Sequence, residues 1–310
     1  MSAAPDLGPE SGMLARLAAS RGGRTATLVL RWGVPLALLV IIGRRLTELG
    51  WGGIWQARPS NAGFYILLVA QFFLQPFGDY FVYRSLWREQ MPPLAVILRK
   101  RLMNTFMLDY SGEAYFFFWA QHHVKLPMPR IAHGIKDSNL LSGGAGLAMV
   151  FILAAILLAV GGLNLPVLPG SKWIYVLAGT APLVLCAGLI AAHRKMTVLS
   201  RRELATVFGI HFTRACLVLG IELGLWQLSG VLPNWIASLQ FVALRLVITR
   251  LPVVPNKDLI FVGAGLAAAG AAHAAVTPVA TVLVILAAAD LMLAATVAGL
   301  TALPGRVRGA

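Results

Sequence analysis

The chain has 310 residues, of which 58% are hydrophobic and only 12% charged. A water-soluble globular domain is roughly 25% charged, so this composition excludes one and points to a chain dissolved in lipid. The formal net charge is +14, from 26 Lys and Arg against 12 Asp and Glu. The basic residues sit in short clusters between apolar runs, which is the membrane-surface pattern rather than a nucleic-acid one.

Residues 1–23 lack the apolar core of a signal peptide and read as a disordered cytosolic tail. A transmembrane domain follows over 24–303, with a second short tail at 304–310. The first span is expected at about Thr27 to Gly43. The second, Ala62 to Tyr83, carries Gln71, Gln75, Pro76 and Asp79. A basic stretch with Arg84, Arg88, Arg99, Lys100 and Arg101 comes next. The segment from Pro93 to Gln121 is apolar only in patches and is broken by LDYSGE, Leu108 to Glu113. A third span runs from Ser138 to Val160, and an uncharged loop separates it from a fourth, Trp173 to Ala192. The basic run HRKMTVLSRRE precedes a fifth span, Val207 to Leu228. A second broken segment, Trp235 to Ala272, is interrupted by LPVVPNKD, Leu251 to Asp258. Its halves hold about fifteen residues each and reach only about 23 Å, short of a bilayer core of about 30 Å. The last span is Val276 to Leu303, and Arg306 and Arg308 follow it.

Charge orients these segments. The runs 84–101, 122–136 and 194–202 are basic and are expected in the cytoplasm. The loops 161–171 and 229–234 carry no Lys or Arg and are expected outside. Both ends of each broken segment then lie on one side of the membrane, which makes each a re-entrant helical hairpin. The expected fold is an all-α polytopic membrane protein with six full spans, two re-entrant hairpins and both termini cytoplasmic. Arg44, Arg45 and Arg58 flank a loop that this layout puts outside, against the charge rule. The units 62–160 and 204–303 each read as span, hairpin, span, in opposite orientation. Such inverted repeats with broken segments at matching positions mark transporter binding sites.

Ionisable groups at membrane depth cost about 2.5–3.5 kcal/mol each on insertion scales, so they are paired or functional. They are Asp79, Asp109, Glu113, Lys136, Asp137, Arg214, Glu222, Arg245, Arg250, Asp258 and Asp290. Glu113 follows Gly112 at the first break, where it either caps a helix or lines a polar cavity. Arg245 and Arg250 are about 140° apart on a helix and do not share a face. Arg250 abuts the second break. It is a bidentate phosphate ligand in one reading and the partner of Asp79, Glu113 or Asp258 in the other. Lys136 and Asp137 read as an interfacial pair, and Asp290 as paired with an arginine across the bundle. His122 and His123 belong to an aromatic belt after YFFFW. The cysteines Cys186 and Cys216 read as small core residues, and no metal or cofactor motif is present.

Asn104, Gly112 and Glu113, with Lys136 and Asp137 downstream, follow a pattern N-x-x-x-P-x-x-x-G-E and a later charged pair. Leu251, Pro252 and Pro255 follow L-P-x-x-P-G-G-x-G-x-x-E. In these stretches the chain resembles the lysylphosphatidylglycerol synthase transmembrane, or flippase-like, domain family, over about residues 60–303. The motif proline is replaced in the first stretch. Asn256 and Lys257 stand for two glycines in the second, and Val262 for its glutamate. The resemblance implies lipid translocation in a bacterial cytoplasmic membrane. Without the soluble aminoacyl-transferase domain, lysyl transfer is not expected. The residues expected to meet substrate are Arg250, Glu113, Asp79, Asn104, Asp109 and Arg245, with Gly112, Pro252, Pro255 and Asp258 shaping the breaks. The expected partners are membrane lipids. The alternative is a non-transporting scaffold for an enzyme of envelope lipid or glycan assembly.

Overall fold

The computed structural model describes residues 40–162 and 197–302, apart from 41–42, 45, 49, 107–109, 251–256 and 272–273, with 184, 187–188 and 191 besides. The expected first and fourth spans lie almost wholly outside the described residues. So do Asp109, Pro252 and Pro255.

The described residues form helices and no strand. A short helix, α1 (Trp51–Gln56), precedes α2 (Ala62–Trp87), and Asn61 caps α2 by accepting the Gly63 amide at 2.8 Å. Then come α3 (Leu94–Phe106) and α4 (Ser111–His123), of thirteen residues each, and α5 (Met128–Ala159). The second set is α6 (Arg201–Ser229), α7 (Trp235–Thr249), α8 (Lys257–Ala271) and α9 (Val276–Ala302). A reciprocal capping box between Ser200 and Glu203 starts α6, and Gly230, at φ 66°, ends it in the left-handed region. Asn234 caps α7 through the Ala237 amide.

Four helices, α2, α5, α6 and α9, are long and apolar enough to cross a membrane. The short pairs α3–α4 and α7–α8 pack within themselves at the positions expected for the two broken segments. The order long, short, short, long thus occurs twice, and the packing repeats with it. The contact α2–α3 matches α6–α7, and α4–α5 matches α8–α9. Across the two sets, α9–α3 matches α5–α7, and α9–α2 matches α5–α6. Between α2 and α6, Gln71 meets Glu222 and Asp79 meets Arg214, so the two helices run antiparallel.

Two larger apolar clusters and a smaller one, Phe72, Leu102, Ala294 and Val297, fill this frame among the described residues. One joins α7, α8 and α9 to the N-terminal half of α2 and to Leu153, Leu157, Leu225 and Trp226. The other gathers Tyr83, Trp87, Phe116, Ile131 and Ile135 around α3 and α4. Ile131 and Ile135 explain one difference from expectation. The apolar run begins at Ser138, but α5 begins ten residues earlier. Its first turns bury those isoleucines in the aromatic cluster, and Gly134 lets Trp87 approach to 3.3 Å of a notional Cβ.

Candidate functional site: an arginine-lined cavity and its ion-pair frame

The C-terminal part of α3 is tied directly to the start of α4. Tyr110 takes the left-handed conformation, φ 70°, which is costly for a non-glycine residue. Asn104 spans the turn: its Oδ1 accepts the Gly112 N–H at 2.6 Å and its Nδ2 donates to Glu113 Oε2 at 2.9 Å. Ser111 Oγ donates to the Met103 carbonyl at 2.8 Å. Gly112 is required here because a Cβ would stand 2.0 Å from the Lys100 carbonyl oxygen. Glu113 therefore sits in the first turn of α4, as its sequence position suggests, but the amide next to it is already bonded.

Lys100 lies one helical turn before Asn104 and is 3% exposed. Its Nζ is 2.7 Å from Asp79 Oδ2 and 3.4 Å from Glu113 Oε1. The rings of Tyr83 and Phe116 flank the ammonium at 5.5 and 5.7 Å. Asp79 holds Arg214 as well, at 3.4 Å, and Arg214 donates to Ser142 Oγ at 2.8 Å. The Arg214 chain crosses α2 over Gly78, where a Cβ would meet its Cδ at 2.7 Å.

Further ties join the other helices. Glu222 accepts from Gln71 at 2.8 Å and lies 3.5 Å from Arg245, whose other nitrogen is 3.7 Å from Asp258. Asp290 pairs with Arg101 at 2.6 Å, the cross-bundle arginine expected for it, and Arg101 also donates to Gln75 and lies 4.3 Å over Phe72. Asp137 is buried beside Lys136 at 3.2 Å and accepts from Thr197. It is 5% exposed, more enclosed than an interfacial pair would be.

Between the two helix sets lies a cavity of about 260 Å³. Arg101, Arg214, Arg245 and Arg250 line it, together with Glu222, Asp290, His211 and the apolar side chains of α2, α6 and α9. The Arg250 guanidinium rests on the bare backbone of Gly146 in α5, where a Cβ would be 2.0 Å from Cζ. Arg250 forms no ion pair with an acidic group among the described residues, so the pairing with Asp79, Glu113 or Asp258 considered from sequence is not what is found. In this network four cations, Lys100, Arg101, Arg214 and Arg245, meet five carboxylates, Asp79, Glu113, Glu222, Asp258 and Asp290. The pairs are unevenly arranged: Glu222 and Asp258 share Arg245, while Arg250 has no carboxylate partner among the described residues.

Of the residues expected to meet substrate, Arg250 and Arg245 line the cavity. Asp79, Glu113 and Asn104 do not. They form the frame behind it, with Gly112, and Asp258 stands in the first turn of α8. Lys100 and Arg101 were missed as site residues because they close a basic run that reads as a loop. The i, i+4 spacing of Lys100 and Asn104, which puts both on one face opposite Glu113, was the available signal. His122 and His123 are exposed and bond backbone carbonyls of their own helix. Cys216 is exposed rather than a core residue, and Cys186 lies outside the described residues. No family model matches the chain, and no curated protein and no solved structure matches it significantly.

Proposed function

We propose that this chain is a flippase-like lipid translocator of a bacterial cytoplasmic membrane, and that the arginine-lined cavity takes the phosphate of an anionic lipid headgroup. The observation that carries this is Arg250, a cavity guanidinium with no described carboxylate partner, among three more arginines. Arginine suits phosphate because its planar fork gives two parallel N–H donors. The apolar side of the cavity, including Leu68, Val218, Leu286 and Leu293, suits an acyl chain better than a free ion. In this reading α3–α4 and α7–α8 are re-entrant hairpins and the two helix sets are inverted repeats. The antiparallel course of α2 and α6 and the paired contacts support it. The sequence resemblance to the flippase-like family points the same way.

Binding of dihexanoyl phosphatidylglycerol to the purified chain tests the site. Arg250→Ala is expected to weaken it about 10- to 100-fold, the range for one hydrogen-bonded charge. Glycerophosphoglycerol, the same headgroup without chains, is expected to bind far more weakly, and equal binding would indicate a soluble anion. Transport is read in liposomes with a fluorescent phosphatidylglycerol, and absence of movement with binding intact would favour the scaffold alternative.

Gly146→Ala isolates position from charge. The added methyl displaces a flexible side-chain end, so thermal stability is expected to hold or rise, as for alanine in a helix. The Arg250 guanidinium is expelled from its seat, and affinity is expected to fall as in Arg250→Ala. Gly143→Ala, with nothing within 4 Å of the added Cβ, is the control and should leave affinity unchanged.

A further inference from the structure

His211 lines the cavity and has no part in the binding step described above. It stands on α6 one turn before Arg214 and is 1% exposed. Its Nε2 is 3.0 Å from Ser138 Oγ, and its Nδ1 is buried without a hydrogen-bond partner. A buried ring nitrogen left unpaired beside a cavity is rare enough to require a reason.

The groups around it are charged in a particular way. Asp79 of α2 acts on it, Ser138 of α5 touches it, and Arg214 stands on its own helix. Lys100 of α3 is within electrostatic reach, and Arg250 at the end of α7 shares the cavity. Asp79 is already divided between Lys100 and Arg214. An anionic headgroup in the cavity would add a negative charge beside these groups, where the effective dielectric is low and a neighbouring imidazolium is favoured.

We infer that His211 takes up one proton when an anionic headgroup enters the cavity, so that headgroup and proton bind together. The inference rests on the proposed headgroup site. It assigns the coupling ion of that site as H⁺, carried by the His211 ring beside Ser138. The proton comes from solvent and returns to it when the headgroup leaves.

Calorimetric titration of the full chain in detergent tests it, with dihexanoyl phosphatidylglycerol as the probe. A phosphodiester keeps one negative charge between pH 5.5 and 7.5, so protons counted belong to the protein. The binding heat is measured in two buffers of different protonation enthalpy, which gives the number of protons taken up. The expected result is an uptake that approaches one proton, with affinity rising by up to about tenfold for each unit by which the pH is lowered, as linkage requires. His211→Gln is expected to bind with an affinity that no longer changes with pH and with no uptake. Binding by the wild type without uptake overturns the inference and leaves the headgroup site standing. Equal uptake in wild type and His211→Gln also overturns it, because another group then titrates. No binding in any buffer overturns the site and the coupling together. If His211→Gln is not recovered folded, the histidine ¹⁵N spectrum of the wild type reports the same event. A ring pair moving to charged-form shifts on adding lipid supports the inference, and an unchanged spectrum overturns it.

Discussion

Replacing Gly112 by alanine is expected to abolish a monodisperse folded protein in detergent. A Cβ there would stand 2.0 Å from the Lys100 carbonyl, 2.8 Å from Asn104 Oδ1 and 2.9 Å from its Cγ. The nearest atom is backbone, and it cannot swing aside as a side chain can. Relief requires α3 and α4 to part, which breaks the Asn104 bonds to Gly112 and Glu113 and loosens Lys100 from Glu113. An added methyl in a packed core costs about 1–3 kcal/mol. Here the lost hydrogen bonds add to that, at about 1 kcal/mol or more each. Size-exclusion survival after heating measures the outcome, with Gly143→Ala as the comparison that shares the composition change and meets no neighbour. A Gly112→Ala protein that melts with the wild type would disprove the direct tie between α3 and α4.

Lys100→Met comes second. It leaves Asp79 with Arg214 alone and Glu113 with Asn104 alone, in a region where Lys100 is 3% and Asp79 6% exposed. Removing one partner of a buried pair costs about 3–5 kcal/mol, because the remaining charge is stranded. Asp79→Asn should be costly for the converse reason, since both Lys100 and Arg214 lose their carboxylate. The double variant restores the charge balance. Its destabilisation is expected to fall short of the sum of the single losses by about 1–3 kcal/mol, the coupling of groups in direct contact. Additive losses, measured by thermal melts of all four proteins, would show that the 2.7 Å contact carries no net interaction.

The segment order was legible because the chain must satisfy its backbone inside each apolar segment. Runs of twenty or more apolar residues therefore became α2, α5, α6 and α9, and the shorter halves around LDYSGE and LPVVPNKD became α3, α4, α7 and α8. The starts at Ala62 and Trp235 match because asparagine caps stand just before them. Hydropathy fails where a helix continues into polar sequence. It missed the first turns of α5, and it missed Arg201 to Thr206 of α6, although the S-x-x-E pattern at Ser200 to Glu203 announces that start. The site was legible as a list of charges but not as a set of pairs. Asp290 was matched with an arginine in general terms, yet nothing local identifies Arg101, which is 189 positions away. Arg250 was singled out by its neighbouring break, whereas its seat on Gly146 depends on how α5 and α7 pack, which no local pattern encodes.

The two polar contacts between α2 and α6 have a mechanical consequence. Gln71 and Asp79 are eight residues apart on one helix, and Glu222 and Arg214 are eight apart on the other, in reversed order. The rungs are therefore spaced equally on both, about 12 Å at the helical rise. A shift of one helix along the other by a single turn would break both rungs at once and drive Arg214 off the bare surface of Gly78. Tilting about the line between the rungs keeps both. The pair therefore resists sliding of α2 along α6 while leaving tilt between them free.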